Sequence, residues 1–183
     1  KAAKKLAKKE LLKAKFKKEN PERGIQTMYR VTMRNHLKLS DIADTKANIL
    51  LSVNAIILSL VIANLIPKLD NPSNDYLILP TVIFCLFSIA SMILSVMATR
   101  PNITGGSFTR EDVEKRKVNL LFFGNFHQMK LEDFQWAMRE LTRDQQYVYD
   151  SLTMDLYYLG KVLNRKYKLL RWTYTIFIIG MVL

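Results

Sequence analysis

The chain has 183 residues, with 28 Lys and Arg against 16 Asp and Glu and a net charge of +12. Its mean hydropathy near zero averages two unlike kinds of segment, some almost pure hydrocarbon and others dense in charge. The single cysteine, Cys85, excludes an intramolecular disulfide and a thiolate metal cluster, and the sequence contains no zinc-type histidine pair, phosphate-binding glycine loop or nucleophile elbow. No catalytic residue, metal or cofactor is therefore expected.

Residues 1–24 form a basic segment in which Leu6, Leu11, Leu12 and Phe16 recur at helical spacing among lysines. Two readings fit, an amphipathic helix lying on anionic lipid and a solvated linker. A nucleic acid polymer is a poorer partner, because Phe16 alone offers a stacking surface. Asn20, Pro21 and Gly24 predict a break. Residues 25–66 then run without Gly or Pro, predicting a cytoplasmic helix that continues into a membrane span at 47–66. That stretch is uncharged and, at about 1.5 Å per residue, matches the roughly 30 Å hydrocarbon layer. Before it stand Arg30, Arg34, His36, Lys38, Asp41, Asp44 and Lys46, either a salt-linked collar or part of a polar site.

A second uncharged run, 77–98, follows after a ten-residue loop, predicting a transmembrane hairpin rather than buried helices of a soluble bundle. A third span starts at 172–183, with Trp172 and Tyr174 suited to the interface, and the chain reads as a piece of a longer protein. Residues 1–46 carry 14 basic against 5 acidic side chains, the loop 67–76 carries 1 against 2, and 99–171 carry 13 against 9. The positive-inside rule puts the first and last of these in the cytoplasm.

Small and polar residues within the spans are ordered. Asn48, Ser52, Ala55, Ser59 and Ala63 share one stripe, and Ser88, Ser91, Ser95 and Ala98 another; the two are expected to pair, since small residues let helices approach closely in lipid. Asn54 and Asn64 lie roughly 140° to either side of the first stripe. An amide in hydrocarbon needs a partner, so that face is expected to meet the third span or a second subunit, implying a homo-oligomer.

The cytoplasmic element, 99–171, carries turn signals at Gly105-Gly106 and Gly124-Asn125, with Thr109 placed to cap a helical turn over 111–117. Between them 118–123 is a short apolar run of β-branched and aromatic residues. From Leu131 the helical period returns through Phe134, Met138 and Leu141, then Leu152, Leu156, Leu159, Leu163 and Leu170, predicting one long helix into the third span. Arg100, Asn102, Thr104, Ser107, Asn119, Asn125 and His127 combine a cation, amides, hydroxyls and turn N–H groups, a set suited to an anionic ligand. Ordinary connecting turns would use many of the same residues.

These features define a mainly α, helical integral membrane protein: a transmembrane hairpin plus a third span, long helices extending into the cytoplasm, and a small turn-rich cytoplasmic element. Three sequence stretches carry a resemblance. Arg34-Asn35-His36-Leu37 with Ala43-Asp44-Thr45-Lys46-Ala47-Asn48-Ile49, then Ala98-Thr99-Arg100-Pro101-Asn102, then 119–126 resemble the transmembrane effectors of Pycsar antiphage defence. The likeness covers roughly 25–183, and the lysine-rich lead is similar to the linker of forms with an upstream HD-type phosphohydrolase domain. It implies a bacterial inner-membrane effector that senses cyclic UMP or cyclic CMP and impairs the membrane. Two other functions fit the residues alone, a membrane anchor and oligomerisation module for an upstream soluble domain, and a channel subunit.

Overall fold

The computed structural model describes residues 6, 9–10, 21–69, 71–101 and 106–183. The basic segment 1–20, apart from Leu6, Lys9 and Glu10, lies outside them, as do Asn102 and Thr104. All regular structure among the described residues is helical: α1 (Pro21–Leu69), α2 (Ile78–Thr99), α3 (Arg110–Glu114), α4 (Leu131–Arg143) and α5 (Gln145–Val182), with 3-10 turns at Pro72–Leu77 and Phe123–Asn125.

Two compact units divide the chain, one up to Asn35 and one from His36 onward. In the first, Thr27 and Thr32 donate to the carbonyls four residues before them, at 2.7 and 2.8 Å. Among the described residues α1 begins at Pro21, where proline's missing N–H has no intrahelical partner in any case, and it runs through Gly24, which therefore does not break it; Asn20 lies outside the described residues. Nor does Pro67 end α1, which continues to Leu69; near a helix end it removes one backbone bond and little else.

Within the second unit α1 and α2 are long and apolar enough to cross a membrane, and 11% of each apolar window is buried in the protein. Helices at the core of a soluble bundle would be mostly covered. Here Ile49, Ile56 and Leu60 of α1 and Leu79, Leu86 and Ile93 of α2 face outward, which suits hydrocarbon. The final apolar turns of α5 pack along α2. A Cβ added at Gly180 would lie 2.4 Å from Phe87 Cβ, so glycine sets that approach. At the other end of the spans Ala43, Ala47, Ala98 and Leu170 form a small core in which three helices meet.

The pairing of helix faces differs from the expectation. Ser88, Ser91, Ser95 and Ala98 are buried, but Asn48, Ser52, Ala55 and Ser59 are exposed. The packed face of α1 is Ala43, Ala47, Leu50 and Asn54, spaced four, three and four, and Asn54 is fully buried. Asn54 Nδ2 donates to the Leu50 carbonyl at 2.9 Å and to Ser91 Oγ at 3.2 Å, and Ser91 Oγ donates to the Thr173 carbonyl at 3.3 Å. Hydrogen bonding therefore outranks side-chain size as the organiser of this face. Asn64 is exposed and donates to the Leu60 carbonyl at 2.7 Å.

A second core, Val113, Leu120, Ala137, Leu141 and Tyr147, joins α3, α4 and the start of α5. Thr109 caps α3 in a reciprocal box with Asp112. The long helix expected from Leu131 is two helices. Asp144 takes extended backbone between them and accepts from the Gln146 N–H at 2.9 Å, starting α5 afresh.

Candidate functional site

Where α1, α2 and α5 emerge from their apolar segments they enclose a cavity of about 540 Å³, within the range of small-ligand pockets. Arg100 ends α2. Lys161, Arg165 and Lys166 come from successive turns of α5, and Phe122 and Phe123 close the side facing the 3-10 turn. Lys166 Nζ is already held, donating to Asp44 Oδ1 and Oδ2 at 2.8 and 2.7 Å and to Ser40 Oγ at 2.9 Å. Tyr157 lies beside Lys161, whose ammonium stands 4.8 Å from the ring centre, and hydrogen bonding to Tyr157 raises the ammonium's pKa from its usual value. The cavity thus offers Arg100, Lys161 and Arg165 to an anion.

A second cavity of about 360 Å³ adjoins the first, sharing Phe122, Leu159, Lys161 and Val162 with it. Asn119, Asn125 and Asp155 line its far end. Asn119 is almost wholly buried and its amide is oriented by bonds on both sides: Nδ2 donates to Asp155 Oδ1 at 2.9 Å, and Oδ1 accepts from the Leu121 N–H at 3.0 Å. Asn125 Nδ2 donates to the Asn119 carbonyl at 2.8 Å, tying the 3-10 turn to the same wall. Together the two cavities make a groove with Arg100, Arg165 and Lys166 at one end, Phe122, Leu159, Val162 and Lys161 in the shared middle, and a carboxylate and amides at the other end.

Of the seven residues expected to hold an anionic ligand, the groove gathers Arg100, Asn119 and Asn125. Ser107 and His127 are exposed and line neither cavity. The His127 ring covers Gly106, whose φ of 78° and added Cβ only 2.3 Å from the ring leave no room for a side chain; the Gln128 N–H donates to the Gly106 carbonyl at 2.9 Å. His127 therefore helps shape the turn. Sequence reasoning missed Lys161, Arg165 and Asp155, because the leucine period of α5 drew attention to its apolar residues. Lys161 and Arg165, four apart, and the buried row Tyr147, Ser151 and Asp155, also four apart, carried the missing signal.

Residues 27–183 match the family model described as the Pycsar effector protein domain. No match was found among curated proteins or among solved structures.

Proposed function

Because the chain belongs to the Pycsar effector family, an antiphage defence family, we propose that it binds a cyclic nucleotide in the cytoplasmic groove and, when bound, rearranges its membrane helices and impairs the bacterial inner membrane. The observation that carries this reading is the convergence of Arg100 from α2 with Lys161 and Arg165 from α5 on one cavity of nucleotide-compatible size, at the point where the apolar helices begin. A phosphodiester neutralises clustered cations, and arginine forks match its oxygens. Phe122 offers the face on which a base stacks.

Asp44 of α1 lies in the same cavity, so a ligand there touches every helix that enters the membrane. Binding shifts the arrangement only as far as the ligand prefers one arrangement over the other. An anion drawing Lys166 from Asp44 supplies such a preference. The excess of Lys and Arg in 1–46 and 99–171 supports a cytoplasmic N-terminus and groove. With Asn54 inside the protomer, self-association falls to the outward stripe Asn48, Ser52, Ala55 and Ser59.

Dye release from liposomes bearing the protein tests the proposal. Cyclic UMP or cyclic CMP should trigger release in the parent, and Arg165→Glu should abolish the response while leaving insertion intact. Release without nucleotide, unchanged by its addition, would favour a constitutive channel.

A further inference from the structure

Along the outer face of α2, Ile89, Met92, Ile93, Val96 and Met97 line a shallow apolar cavity of about 360 Å³ that ends at Arg100. This stripe lies roughly 150° around the helix from the buried Ser88, Ser91, Ser95 and Ala98. Ile89, Ile93, Val96 and Met97 are exposed, so it faces hydrocarbon. From Ile89 to Arg100 the helix rises about 16 Å, close to half of the roughly 30 Å hydrocarbon layer and so to the depth of one leaflet. Ala98 packs with Leu170, two residues before the exposed Trp172, an aromatic of the kind that marks the interface. Arg100 therefore stands at headgroup depth. Asp44, the carboxylate that shares a cavity with it, is bonded to Lys166.

We propose that an anionic phospholipid of the leaflet nearest the groove docks on this face, an acyl chain along Ile89, Ile93 and Val96 and its phosphate on Arg100, and that it competes with the groove's ligand for that guanidinium. A zwitterionic lipid carries its own cation beside the phosphate and gains little from the arginine, whereas an anionic headgroup leaves its charge to be neutralised. Arg100 lines both the lipid-facing cavity and the inner cationic one, as does Met97. A guanidinium turned outward to a headgroup is lost to a phosphate inside. The competition, unlike the docking, rests on the reading that the groove binds a cyclic nucleotide; by linkage each ligand then weakens the other by the same factor.

Electron spin resonance of the full chain in phosphatidylcholine nanodiscs tests both parts, with spin-labelled phosphatidylglycerol and phosphatidylcholine as probes. The parent should retain phosphatidylglycerol about fivefold more strongly, the effect of one basic side chain on an anionic lipid. Arg100→Gln should bring the two probes to parity, while Arg165→Gln, which of the two cavities lines only the inner one, should keep the preference. Cyclic UMP or cyclic CMP, with binding to the same discs followed by calorimetry, should release the retained phosphatidylglycerol. Equal retention of the two lipids by the parent overturns the docking site, and that comparison needs no substitution, so it stands even if a variant unfolds. Equal loss of the preference in both variants overturns it too, since the attraction is then a general one. A nucleotide that binds without releasing the lipid overturns the competition and leaves the groove standing; failure of every cyclic nucleotide to bind overturns the groove reading and the competition with it, while the lipid site stands or falls on the first comparison.

Discussion

Asn54 Nδ2 lies 3.2 Å from Ser91 Oγ, joining α1 to α2 within one protomer. Ser91 in turn donates to the Thr173 carbonyl of α5, so one serine bridges three helices. Asn54 Oδ1, by contrast, is buried without a partner among the described residues. Ser91→Ala should destabilise the bundle by about 1 kcal/mol, typical of an interhelical bond in lipid. Asn54→Leu should cost less, because it removes the orphaned acceptor together with the donor. Reversible unfolding in bicelles, with the double variant closing the cycle, measures the coupling. An Asn54→Leu effect confined to oligomer assembly, with Ser91→Ala neutral, would mean that the amide faces another subunit instead.

The two apolar spans were legible because length and absence of charge are properties of a segment. Which face of α1 packs was not, since the small-residue stripe and the Ala43, Ala47, Leu50 and Asn54 row are both regular, and only the location of Ser91 and Thr173 decides between them. The groove was half legible for a similar reason. Arg100, Asn119 and Asn125 lie in short stretches of unusual composition, whereas Lys161, Arg165 and Asp155 look like the solvated positions of an amphipathic helix until α5 is placed beside the 3-10 turn. The break at Asp144 shows the limit of periodicity: a cap can interrupt a stripe without disturbing its spacing.

Gly106 should tolerate no side chain. Its φ of 78° costs a substituted L residue about 1–2 kcal/mol, and a Cβ would strike the His127 ring. Gly106→Ala should lower the melting temperature of the element built on α3 and α4. Adding His127→Ala should recover the steric part and leave the dihedral part. Full recovery would show that the backbone conformation costs nothing.

Acid should loosen the element built on α3 and α4 first at its two capping aspartates. The Thr109 hydroxyl and N–H bonded to Asp112 hold its carboxyl below the usual 3.8, and the Arg116 guanidinium does the same for Asp144. A carboxyl depressed in the folded state binds its proton more weakly there than in the unfolded chain. The stability it contributes is complete above about pH 4 and disappears as pH falls through the lowered folded value. Fluorescence of Trp136, which packs on the core beside α3, should report a transition below pH 4. Asp112→Asn should weaken the element at neutral pH and shrink the acid-sensitive component. An unchanged acid profile would exclude the α3 cap as its source.

Lys166 and Asp44 join α5 to α1 at the edge of the groove, with side chains 17% and 34% exposed. That exposure places the pair between a surface bridge and a buried one. Breaking it by Asp44→Asn should cost about 1–2 kcal/mol, because Lys166 keeps Ser40 and some access to water. If separation of α1 from α5 is the step that ligand binding favours, this loss falls on the resting arrangement alone. A resting state weakened by about 1.4 kcal/mol needs roughly tenfold less ligand preference to shift. Asp44→Asn liposomes should therefore release dye at lower nucleotide concentration, with some leakage before any is added, while Lys166→Met should leak likewise but respond less because the groove also loses a cation. The outcome that sinks the latch is Asp44→Asn protein that is less stable yet shows the parent's threshold, which would make the pair a structural bridge unconnected to the trigger.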